Sequence, residues 1–202
     1  MLPVANEVFF SLHCSGGVHI LQLQSSDGMN RLTRSRVIAL IEALDKIRTD
    51  SGPLIITGNP KSFSVGADLQ EIAALTSPAA YEFSQLGQRL MNTVAGFPAA
   101  VYAAICGYCM GGGLDLALAC HRRIASPDAI FGHRGAALGL ITGWGGTQRL
   151  SRMVGKSSAL HMFAAAEKID AQHALQFGLV DQVVKKPLRE ALRLAQDRHR
   201  RT

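Results

Sequence analysis

No stretch of this sequence approaches the roughly 18 consecutive apolar residues that a membrane-spanning helix needs. The opening residues, MLPVANEVFFSLHC, carry no basic segment ahead of their apolar stretch. No secretory signal is therefore expected, and the cytoplasm is the default address. Aromatic residues are scarce, at 6% with a single tryptophan, and none interleave with the basic residues crowding the tail. That argues against a stacking platform for nucleic acid, although the net charge of +6 keeps RNA binding by the tail as a minor alternative. Cysteines number only four, at positions 14, 106, 109 and 120. Cys106 and Cys109 form a C-x-x-C pair, but no second pair and no H-x-x-x-H follows. Packed thiols are expected there, with no metal site and no disulfide.

What the chain does contain is enough apolar material for one well-buried core: 48% of its 202 residues are apolar and 18% charged. Two β-rich runs, residues 7–14 and 17–24, open it around a Ser15-Gly16 turn signal. Thr33 can cap a helix whose Val37, Leu40, Ile41, Leu44 and Ile47 share one face. Residues 53–57 and 99–105 read as buried strands, with a helix from Pro78 to about Ala95 between them. A small-residue helix over 111–120, strands over 122–126 and 180–184, and several short helices follow. The alternation predicts an α/β layered architecture. No internal repeat, low-complexity tract or linker divides it; the expected core domain is 1–185, with 186–202 as a basic C-terminal helix. Leu188, Ala191, Leu192 and Ala195 would give that helix an apolar face opposite its basic one.

Two glycine-rich passages follow buried strands: residues 62–69, SFSVGADL, and residues 107–116, GYCMGGGLDL. A strand leading through glycines to a helix start leaves backbone N–H groups without intrahelical partners, where the dipole favours negative charge. Such a place suits a phosphate or a developing oxyanion. Neither passage is a GxxxxGK[ST] loop or contains GxGxxG, which disfavours nucleotide phosphates. Spacing alone leaves tight strand–helix packing open as the alternative.

From Ile55 to Val184 the chain resembles the crotonase (enoyl-CoA hydratase/isomerase) family. The resemblance lies in residues 63–69 (FSVGADL), residues 107–116, residues 143–150 (GWGGTQRL) and residues 169–184 (IDAQHALQFGLVDQVV), in the family's order. It implies a crotonase-like spiral of repeated ββα units. It implies an oxyanion hole made by the backbone N–H groups of Ala67 and Gly112, holding the thioester carbonyl of an acyl-CoA substrate. No cofactor is implied beyond that substrate. Ser64, Val65, Gly66, Ala67, Asp68, Gly111, Gly112, Gly135 and Gly143 are implied to border the bound thioester and coenzyme A. Arg31 either contacts a coenzyme A phosphate or is a solvated surface residue. A homo-oligomer, trimer or hexamer, is also implied. So is a longer C-terminal helical region, which this chain is expected largely to lack.

The departures from the family matter as much. Its hydratases use two glutamates. The first aligns with Asp115, whose place in a helix's first turn the dipole alone could explain, and which we take as the catalytic carboxylate. The second aligns with Gly135, and no Asp or Glu occurs from Ala129 through Ala166, so two-carboxylate hydration is in doubt. His133 offers either a substitute general base or a structural hydrogen bond in the turn, and the second reading carries slightly more weight. The expected function is that of an enoyl-CoA hydratase or isomerase. The rival is a non-catalytic acyl-CoA-binding or assembly subunit.

Overall fold

After an opening hairpin that lies wholly in the larger sheet, strands come in pairs whose two members go to different sheets. The computed structural model describes residues 9–50 and 52–199. Its first hairpin is β1 (Phe10–Ser15) and β2 (Val18–Leu23), turning at Gly16-Gly17 rather than Ser15-Gly16. The expected strand start at residue 7 lies outside the described residues. Helix α1 (Arg34–Ile47) follows, with the Thr33 hydroxyl accepting from the Arg36 N–H and Val37, Leu40, Ile41 and Leu44 buried, as their spacing predicts.

The next three units repeat one pattern. β3 (Leu54–Thr57) and β4 (Ser62–Ser64) precede α2 (Leu69–Ala73) and α3 (Ser77–Ala95). β5 (Val101–Ile105) and β6 (Tyr108–Met110) precede α4 (Gly112–Ala119). β7 (Arg122–Ala125) and β8 (Ile130–Gly132) lead through a short 3-10 turn, Ala136–Leu138, to α5 (Gly146–Val154). The chain closes with α6 (Lys156–Ala165), β9 (Ile169–Asp170), α7 (Ala171–Gln176), β10 (Gln182–Val183) and α8 (Pro187–His199). One sheet runs β1-β2-β3-β5-β7-β10 and the other β4-β6-β8-β9. The pairings from β2 through β10 in the first sheet are parallel, as are β4–β6 and β6–β8 in the second. This is the expected spiral of ββα units. The repeat escapes sequence inspection because its second strands are three residues long and carry the glycine passages.

The central strands of the larger sheet, LIIT and VYAAI, are buried along their whole length, as parallel strands covered on both faces must be. On one face lie α1, α3 and α4 around Leu44, Leu90, Leu114 and Phe63. On the other, α8 sets Ala191 and Ala195 against Val18, Ile55, Tyr102, Ala104 and Ile124. The basic helix thus packs by its small apolar stripe. Its exposed Arg193 pairs with Glu190 and Asp197.

The four cysteines are free thiols. Cys109 and Cys120 are wholly buried, and desolvation holds the Cys109 thiol well above its ordinary value and pushes Cys120 up to about 12. Burial also raises Cys106, while Cys14 is exposed. A thiol reagent at pH 8 should therefore label Cys14 quickly and Cys106 slowly, and reach Cys109 and Cys120 only in denaturant. Rapid native labelling of Cys109, read by peptide mass spectrometry, would contradict the packing.

Candidate active site

Three neighbouring parallel strands end at one edge of the smaller sheet, and each delivers its next residues to the same cleft. β4 leads to Val65-Gly66-Ala67, β6 to Gly111-Gly112, and β8 to His133-Arg134-Gly135. The carboxyl ends of parallel strands are where α/β folds generally bind ligands. The cleft here measures about 540 Å³ and is walled mainly by apolar groups, including Ile72, Leu75, Phe83 and Leu140.

Its polar features begin with the backbone. Gly66 has φ +89° and Gly111 φ +52°, conformations that side-chain-bearing residues rarely adopt. Each glycine turns the following amide, Ala67 or Gly112, out of the strand ladder. Among the described residues neither N–H donates to a protein acceptor. The two segments lie side by side: a Cβ built on Gly66 would stand 2.6 Å from the Gly112 nitrogen, and one on Gly112 3.4 Å from the Ala67 nitrogen. Gly112 is also the first residue of α4, so its N–H sits at the positive end of that helix.

One turn into α4, Asp115 is buried at the cleft floor, 1% exposed. Its Oδ2 accepts from the Thr142 hydroxyl, and its Oδ1 lies 2.9 Å from His133 Nε2. These last two atoms are within ion-pair distance but off the line of a hydrogen bond, and neither has another protein partner. Gly146, the first residue of α5, closes against the carboxylate so tightly that a Cβ there would stand 2.0 Å from Oδ1. The chain's one tryptophan, Trp144, is 4% exposed, meets Phe83 edge-on at 5.3 Å and donates its indole N–H to the Phe83 carbonyl at 3.3 Å.

Of the other residues singled out in the sequence, Val65, Ala67, Gly111, Gly112, Gly135 and Gly143 line the cleft. Ser64 lies beneath it, its buried hydroxyl donating to the Asn30 carbonyl and accepting from the Gly66 N–H. Asp68 caps α2 by accepting from the Gln70 and Glu71 N–H groups. Arg31 is held at the surface by Asp27 and lies 3.8 Å from Asp68. Gly135 has an ordinary φ of −57°, but a Cβ there would meet the Leu140 carbonyl oxygen at 2.6 Å. A glutamate at 135 would have to displace that turn, and Asp115 is the only carboxylate among the residues lining the cleft. The 143–150 passage carries the family resemblance but gives no individual role to Trp144 or Gly146. The lone tryptophan amid four glycines of residues 139–146 was the available signal.

Over residues 13–199 the chain matches the enoyl-CoA hydratase/isomerase family. It belongs to that family. A solved structure of DspI from Pseudomonas aeruginosa is 33% identical, with a TM-score of 0.92, covering 100% of this chain and 79% of that one. An enoyl-CoA hydratase from Bacillus anthracis is 32% identical, with a TM-score of 0.89 over 94% of this chain and 76% of the other. One from Thermoplasma volcanium is 30% identical, again with a TM-score of 0.89 and 94% and 76% coverage. Family membership and architecture thus agree with the four sequence passages. Among the described residues no helix is long and apolar enough to cross a membrane.

Proposed function

We propose that the protein binds an acyl-coenzyme A thioester and stabilises its enolate, as an enzyme of the hydratase or isomerase type. The observation that carries this reading is the pair of free amides, Ala67 and Gly112, each set by a positive-φ glycine at the mouth of one cleft. An enolate concentrates negative charge on the former carbonyl oxygen. Two fixed donors at a helix N-terminus are suited to that charge and need no reorganisation as it forms. The apolar wall of Ile72, Leu75, Phe83 and Leu140 suits an acyl chain. The proton chemistry centres on Asp115, and such proton movements require no cofactor beyond the coenzyme A of the substrate.

The second reading, a non-catalytic acyl-CoA-binding subunit, draws on Gly135, which leaves the cleft with a single carboxylate. One set of experiments separates the two. Calorimetry should show saturable binding of butyryl-CoA, tighter than free coenzyme A. Crotonyl-CoA, a 3-enoyl-CoA and a dienoyl-CoA should then reveal turnover of at least one. Binding with no turnover of any of the three would favour the second reading, and absence of acyl-CoA binding would remove both.

A further inference from the structure

We infer that the imidazole of His133, oriented by Asp115, is the group that moves substrate protons in this cleft, and that it suits double-bond migration within an enoyl-CoA rather than addition of water. This rests on the acyl-CoA reading above and assigns the division of labour inside it.

The carboxylate itself is enclosed. Thr142 covers Oδ2, while His133 and Gly146 cover Oδ1, leaving Asp115 1% exposed. The imidazole is its link to the cleft. His133 lines the cleft wall, its ring backed by Phe163 at 5.1 Å, and its second ring nitrogen makes no hydrogen bond among the described residues. A carboxylate on one side of an imidazole and a reactant on the other is the arrangement that orients a general base. Contacts of this kind are often misaligned before substrate binds. The two buried atoms that face each other without a hydrogen bond, Asp115 Oδ1 and His133 Nε2, are a costly feature for a purely structural turn. Asp115 is then a positioning residue and His133 the catalytic one.

The step balances within the substrate. His133 takes a proton from C2 of a 3-enoyl thioester. The C2–H electron pair forms the dienolate, whose oxygen charge rests on the Ala67 and Gly112 amides. Protonation at C4 by the imidazolium then forms the C2=C3 bond, restores the carbonyl and returns the neutral imidazole. One acid–base group suffices for this sequence. Hydration needs a second to activate water, and the cleft lining supplies no further carboxylate. The other charged or titratable groups around the pair are Arg149 on α5 and Cys109 on β6, both in Coulombic reach of Asp115, and Arg134 beside His133 at the cleft wall.

The test uses the full chain, with trans-3-hexenoyl-CoA isomerisation and deuterium uptake at C2 of butyryl-CoA in D2O. The wild type should isomerise, and hydrate crotonyl-CoA at least about 100-fold more slowly than it isomerises. His133→Gln should lose isomerisation and deuterium uptake by about 10²–10⁴-fold, with butyryl-CoA affinity nearly unchanged. His133→Gly should regain isomerisation with added imidazole, which a merely structural histidine would not show. Undiminished deuterium uptake in His133→Gln, or a wild type that binds butyryl-CoA yet neither isomerises nor exchanges, would overturn the assignment. Should His133→Gln fail to fold, the wild-type hydration-to-isomerisation ratio decides, fast hydration counting against it. Failure of the wild type to bind butyryl-CoA would instead sink the acyl-CoA reading.

Discussion

Asp115→Asn is expected to lower turnover of an enoyl-CoA by about 10²–10⁴-fold, the usual contribution of a positioned acid–base system, while leaving acyl-CoA binding within a few-fold of wild type. Asparagine has the shape of aspartate, so it fits against Gly146, where even a methyl group on the neighbouring backbone would not. What it loses is the negative charge facing His133 and one of the two carboxylate oxygens, so its single carbonyl oxygen can face Thr142 or His133 but not both. A protonated imidazole would then have no counter-charge at 2.9 Å, and the proton-loaded state of the cycle would be the one most weakened. Stability should fall by about 1 kcal/mol for a disturbed buried hydrogen bond, roughly 2–4 °C in melting temperature for a chain of this size. Steady-state kinetics, calorimetry and a thermal melt measure the three quantities separately. Full turnover in a folded Asp115→Asn variant would place the proton chemistry elsewhere.

Much of this architecture was legible because single segments encode it. Thr33 with the Val37–Leu40–Ile41–Leu44 face specifies α1 locally, and unbroken apolar runs mark the buried parallel strands. The Gly66 and Gly111–Gly112 positions announce a backbone that must turn sharply and stay open to a ligand. What could not be read was any contact between distant segments. Asp115, His133 and the Thr142–Gly146 segment come from three stretches that meet only when β6 and β8 pair and α5 folds back over α4. His133 accordingly read slightly more as a turn residue than as a base. The repeat of ββα units was hidden for a related reason: no smaller-sheet strand is longer than three residues, too short for periodicity to register. The tail shows the opposite error of emphasis. Its charge dominates the sequence, while its packing depends on two alanines, Ala191 and Ala195, buried against the sheet.

Gly112→Ala should be the most damaging small substitution in the cleft, lowering turnover by about 10²–10³-fold, as loss of an oxyanion donor does. The new methyl would stand 3.4 Å from the Ala67 nitrogen, over the space through which a thioester oxygen must approach both amides. It would also stand 2.4 and 2.6 Å from Cζ3 and Cε3 of Trp144, so the indole must move. Trp144 cannot retreat freely, because at the five-membered ring of its indole a Cβ at Gly87 would already lie 2.0 Å from its Nε1. The backbone is thus pared to glycine at both rings of one indole. Overpacking of this kind costs about 1–3 kcal/mol, so the variant should melt lower as well as bind acyl-CoA weakly. A larger residue such as valine would confound the two effects by displacing the ring further. The double variant Gly112→Ala with Trp144→Leu separates them. Leucine gives the methyl room, so melting temperature should recover relative to Gly112→Ala. Acyl-CoA affinity and turnover should not recover, because the methyl still stands before the Ala67 amide. Recovery of both together would mean that Trp144 packing, and not access to the paired amides, governs binding in this cleft.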